Sequence, residues 1–205
     1  EKFNHLQLIP GSAALVYEAE NPLEIFKALK SSDLWGGLEG IQQVDQTAMI
    51  LELGDSLFAA NDRLLGALRT RMSVASIHVT SNEAAGLMLY LPTGPGTVNV
   101  LATILKETTK KNVKRQTRLY DGYTINELQA GDLTLSYILH EKYIVFSSFG
   151  FLIEDVVRNI NDSFTKGFFV DHSNLYAVPK LGDDAGNLYL NGTQMIALAN
   201  TVLPP

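Results

Sequence analysis

A hydroxyl, an imidazole and a carboxylate are the groups with which a protein breaks an ester or amide bond. One short string of this chain holds the first of them in a reactive-looking place. Gly54-Asp55-Ser56-Leu57 follows the apolar Met49-Ile50-Leu51 and precedes an amphipathic stretch from about Ser56 to Arg71. A serine hydroxyl attacks a carbonyl only when it is exposed and activated. Acyl transfer also needs a base, and four histidines are on offer: His5, His78, His140 and His172. The competing reading of the string is structural. Gly54 breaks the preceding element and Asp55 caps the helix that starts at Ser56.

Gly54-Asp55-Ser56-Leu57 resembles the nucleophile block of the GDSL esterases and lipases, which implies Ser56 as nucleophile at a strand-to-helix turn, its hydroxyl exposed and the helix N-terminus helping to stabilise an oxyanion. That family draws its base from an Asp-x-x-His near the C-terminus. Here the residues three before His78, His140 and His172 are Ala75, Tyr137 and Phe169, so none completes the pair. A four-residue match without its partners carries little chemistry. Lys106, Lys110, Lys111, Lys114, Arg115 and Arg118 form a basic run where a helix passes into a strand. Cations there suit the helix dipole and solvation, and an anion or acidic-surface site is the sharper alternative. Asp183-Asp184, between Gly182 and Gly186, lacks the further oxygen ligands of a cation loop and reads as a solvated turn. Gly94-Pro95-Gly96 lacks the Lys-Ser/Thr of a phosphate loop and reads as a turn. His78 falls on the strand face opposite Ile77 and Val79, where an exposed or hydrogen-bonded imidazole is ordinary. No catalytic set, metal set or cofactor site is predicted, with Ser56 the weak alternative nucleophile.

The elements that must position such groups follow from periodicity. Ala13–Tyr17 reads as a strand, and Asn21-Pro22-Leu23-Glu24 as a helix start with cap, N1 proline and capping glutamate. Leu23, Phe26 and Leu29 share one helical face, and Trp35, Leu38 and Ile41 repeat the spacing. Leu57, Phe58, Leu64, Leu65, Leu68 and Met72 stripe a longer helix. From Ser73 to Leu91 the period switches to two, with a turn at Ser81-Asn82-Glu83, which predicts a hairpin. Val98, Leu101, Ile104 and Leu105 mark the next helix. A meander follows, with turns at Asp121-Gly122, Ala130-Gly131-Asp132 and His140-Glu141-Lys142. Leu152, Ile153, Val156, Val157 and Ile160 line a helix, Asn187–Leu190 one more strand, and Met195, Ile196, Leu198, Ala199 and Val202 a last helix. Tight turns between the strands predict an α+β fold: a mostly antiparallel sheet built from strand–loop–helix units, with amphipathic helices packed on one face. The span 1–205 is expected to be one domain, with two packed sub-lobes at about 1–112 and 113–205 as the variant.

Ile9-Pro10-Gly11-Ser12-Ala13-Ala14-Leu15-Val16-Tyr17-Glu18, with Asn21-Pro22-Leu23 and Leu34-Trp35, resembles the start of a large family of uncharacterised bacterial proteins. Tyr120-Asp121-Gly122-Tyr123, and the strand pair before Phe151–Arg158, are similar to that family as well. The resemblance covers most of the chain. It implies an extracytoplasmic protein held by an N-terminal signal or anchor, and it offers no functional residues to carry over.

Composition sets the outer bounds. Hydrophobic residues make up 46% of 205 and charged residues 19%, which calls for a packed globule. A net charge of −6 disfavours nucleic acid, whose binding relies on clustered cations. Cysteine is absent, which removes disulfides, thiolate metal sites and thiol nucleophiles. No apolar run reaches the roughly 18 residues that cross a bilayer. Glu1 in the first position is read as the mark of a processed or trimmed chain. The sequons at Asn161 and Asn191 are short enough to arise by chance. The expected function is therefore a non-enzymatic extracytoplasmic binding or structural module, its partner an envelope protein or polymer. The alternative is a GDSL-type serine esterase acting through Ser56.

Overall fold

A computed structural model describes residues 3–20, 72–81, 84–94, 96–170 and 186–202, together with Ser31. Ser56, His172, Asp183-Asp184, Pro95 and the helices expected between 21 and 71 lie outside the described residues, as does most of the turn expected at 81–83.

A 3-10 turn, His5–Leu8, leads into β1 (Ala13–Ala19). β2 (Ser73–Ser81) and β3 (Ala84–Pro92) precede α1 (Thr97–Thr109). The meander is β4 (Lys114–Tyr120), β5 (Tyr123–Ala130), β6 (Leu133–His140) and β7 (Tyr143–Ser147), followed by α2 (Gly150–Asn161). β8 (Asn187–Leu190) and α3 (Gly192–Val202) complete the order.

Among the described residues the strands form one eight-stranded sheet in the order β4-β5-β6-β7-β3-β2-β1-β8, every pair antiparallel. The turns of the meander are where the sequence puts them. Asp121 and Gly122 both take positive φ, 44° and 82°, as a type I′ hairpin requires. β3 pairs with β7, so strands from before and after residue 113 share one sheet. In β1 a register shift between Ala13 and Leu15 is a bulge that turns Ala14 and Leu15 to the same side.

The α+β class and the antiparallel sheet are as expected. The layering is not: helices cover both faces. α1 and α3 lie over one face, with Leu101, Leu105 and Leu198 packed against Ile77, Leu87, Leu89, Leu91, Leu135 and Phe146. α2 and the 3-10 turn lie over the other, with Leu152, Ile153, Val156 and Val157 against Val16, Val74, Met88, Tyr90, Ile138 and Val145. The reason sits in β3 and β7. Met88 and Tyr90 alternate with Leu87, Leu89 and Leu91, so both alternations are apolar and both need cover. Burying each α2 side chain contributes about 1.5–3 kcal/mol relative to leaving it in water. Ile196, counted in the stripe of the last helix, ends outside the core at 68% exposed, and so does Leu139 near the end of β6, at 53%.

Candidate functional site

The polar groups buried on the α2 face are the nearest the described residues come to a reactive assembly. The segment before β1 is pinned first. Phe168 N–H donates to Ile9 O at 2.8 Å and Gly11 N–H to Lys166 O at 3.0 Å. This fixes Ser12 at the mouth of β1, beside β2. Its Oγ lies 2.9 Å from His78 Nδ1. On the other side of the ring, Ser76 Oγ lies 2.7 Å from Nε2. Ser76 and His78 are two apart on β2 and therefore point the same way.

The direction of the bonds can be read from the far end. A thioether sulfur only accepts, so the Tyr90 hydroxyl donates to Met88 Sδ at 3.5 Å. Ser76 in turn donates to Tyr90 at 3.3 Å. Having spent its proton there, Ser76 accepts from His78 Nε2–H, which leaves Nδ1 bare to accept from Ser12. One file of bonds thus runs from Ser12 to Met88. His78 is completely buried, and burial pushes its pKa down to about 3. Burial likewise pushes the Tyr90 phenol up, against the hydrogen bond to Ser76.

A nucleophilic serine needs a base that holds a proton in the transition state at neutral pH. His78 is several units too acidic as an imidazolium, and its second nitrogen meets a hydroxyl instead of the carboxylate that would stabilise the charge. The carboxylate–imidazole pair of this face is a different one. Glu18 on β1 accepts from His5 Nε2 at 2.9 Å, and from Asn187 Nδ2 and Tyr189 Oη at 3.2 Å each. Burial raises the pKa of Glu18, but its hydrogen bonds and the charge of His5 outweigh that and hold it below the ordinary value. His5 also stacks on Tyr143, ring centres 5.2 Å apart. These contacts tie the 3-10 turn to β1 and β7, and β1 to β8.

Ser12 borders an open depression of about 240 Å³ between the Pro10–Ser12 turn and α2. Its charged walls are already satisfied. Arg158 is bonded to Asp155 and to the Tyr120 hydroxyl, and Lys166 lies 2.7 Å from Asp162. Asn159, 2% exposed, donates to Gln7 O at 2.7 Å.

The basic run falls at the opposite edge of the sheet. Lys106 stands in the last turn of α1 and Lys110 caps it, which is the helix-dipole arrangement. Arg115 donates to Asn99 at 3.0 Å, while Arg118 pairs with Glu127 at 3.0 Å and Glu154 at 2.7 Å. Lys114 is exposed. His140 lies 3.3 Å from the Tyr123 hydroxyl among Phe3 and Phe164. Among the described residues no three His, Asp or Glu side chains are grouped to hold a metal, and no helix is long and apolar enough to cross a membrane.

Sequence reasoning missed Ser12 and Glu18 as parts of these clusters. The pairing of Ser76 with His78 was visible in the period of two. Ser12 is 66 residues from its imidazole, and only the β1–β2 pairing brings them together. Comparison with family models, with curated proteins and with solved structures gives no match.

Proposed function

We propose that this chain is a non-enzymatic binding or structural module that works outside the cytoplasm, against another envelope protein or polymer. The observation that supports it is the state of His78. The Ser12–His78 pair has its imidazole sealed between two hydroxyls, the second that of Ser76, with a pKa near 3 and no carboxylate behind it. Such a pair organises a core; it does not activate a nucleophile. The extracytoplasmic placing rests on the family resemblance, and the cysteine-free composition suits it.

A fluorophosphonate probe tests the reading directly, because it labels only serines that a base has activated. The folded protein is expected to show no labelling above that of the Ser12→Ala and Ser56→Ala variants. Stoichiometric labelling lost in Ser56→Ala would establish the esterase alternative, and labelling lost in Ser12→Ala would establish the buried pair as catalytic.

A further inference from the structure

Among the described residues β4 is an edge strand. It pairs there only with β5, in unbroken register from Lys114↔Gln129 to Tyr120↔Tyr123. In a two-residue hairpin the residues flanking the turn, Tyr120 and Tyr123, exchange hydrogen bonds, and the ladder alternates from there. The N–H and C=O groups of Tyr120, Arg118, Gln116 and Lys114 therefore face β5. Those of Leu119, Thr117 and Arg115 face outward. Residues 114–117 and 119 are exposed, Leu119 at 76%.

The charge at this edge runs against the rest of the chain. Between Lys106 and Arg118 stand six of the 16 Lys and Arg, with one of the 22 acids; Glu127 and Glu154 match Arg118, which leaves the exposed Lys114 and Arg115 as the cations of the strand itself. Lysines on an edge strand guard it against pairing with a like edge, since a second copy brings the same cations alongside. That guard has a gap at Leu119, whose side chain lies in water on the same face as Arg115.

We propose that β4 is a docking edge for an extended acidic segment of a partner protein, added as a ninth, antiparallel strand. The outward amides and carbonyls of Arg115, Thr117 and Leu119 supply the ladder. Side chains set the register. A partner residue opposite Leu119 is apolar, the one four positions later meets Arg115, and the next meets Lys114, so those two are acidic. The cations repel a second copy of this chain and steer an acidic strand toward the edge. The inference deepens the reading of the chain as a binding module and names the chemistry of its partner.

The test uses the whole chain and a capped, fluorescein-labelled, threonine-rich peptide with valine at its second position and glutamate at its sixth and seventh. Fluorescence anisotropy is expected to show saturable binding that weakens with salt, and at least tenfold weaker binding when lysines replace the glutamates. Thr117→Pro removes an outward N–H without removing a bond to β5, and is expected to abolish binding with the circular dichroism unchanged. The exposed double variant Lys114→Glu with Arg115→Glu is expected to weaken binding at least tenfold and serves should the proline disturb the hairpin. Flat anisotropy, equal affinity for both peptides, or binding indifferent to both variants overturns the proposal. So does concentration-dependent dimerisation in sedimentation that Thr117→Pro abolishes, which would make the edge a self-association surface. Phosphonate labelling of a serine would instead overturn the non-enzymatic reading, so the two ideas fail by different measurements.

Discussion

His78 makes the acid stability of the protein legible at the level of one ring. In the unfolded chain its imidazole takes a proton below pH about 6.5; in the folded chain it resists until about pH 3. The stability it contributes is complete above pH 6.5 and is lost as the pH falls through that window, by up to about 1.4 kcal/mol per pH unit. His140, lowered by burial against the attraction of Glu141, acts in the same direction. Glu18 enters later, because a carboxylate with a depressed pKa keeps its contribution until the pH drops below its ordinary 4.5. Urea midpoints should therefore fall already between pH 6.5 and 5, and His78→Gln should flatten that limb. A midpoint in wild-type protein that stays constant from pH 7 to 5 would contradict the buried, neutral ring. Only half of this arrangement was legible beforehand. The spacing of Ser76 and His78 put both on one side of a strand. That this side is covered depends on α2, and the second hydroxyl, Ser12, arrives from a distant turn.

At the scale of elements, two glycines carry opposite kinds of demand. Gly122 holds φ of 82° in the β4–β5 turn, so Gly122→Ala should cost about 1 kcal/mol through backbone strain while leaving the core alone. Gly86 lies where β3 passes under the start of α2. A Cβ there would come within 2.6 Å of Leu152 Cδ1 and 3.0 Å of Phe149 Cδ2. Gly86→Ala should cost about 1–3 kcal/mol by overpacking, with α2 displaced. Thermal melts of the two variants distinguish the mechanisms when combined with Leu152→Ala. That change should relieve part of the Gly86 penalty and none of the Gly122 penalty, as a double-mutant cycle would record. The turns themselves were readable from Asp121-Gly122 and Ala130-Gly131-Asp132, because positive φ is a local demand. The side of the sheet on which each helix lies was not. It depends on which of two apolar alternations a strand offers, and in β3 and β7 both are apolar.

For the molecule as a whole, the decisive pairing is the least local one. β1 sits between β2 and β8, and Glu18 binds Asn187 and Tyr189 across 169 and 171 residues of sequence. Removing residues 186–202 should uncover one edge of β1, strip α3 from β1–β3 and leave Glu18 short of two donors. Hydrogen exchange should then show protection lost first in β1, with the β4–β7 meander retaining more. Uniform loss across the sheet would mean that the sheet behaves as one cooperative unit. The meander was foreseeable because its partners are sequence neighbours. The place of β1 and β8 at the far side of the sheet was not, since nothing in a four-residue strand such as Asn187–Leu190 names a partner so remote.

The bond between β1 and β8 has a mechanical corollary. The strands run in opposite directions with Leu15 facing Leu190 and Glu18 facing Asn187, so the start of one lies beside the finish of the other. Tension applied between Ala13 and Leu190 pulls across the rungs in succession instead of sliding them past one another together. The pair would peel open rung by rung under modest load.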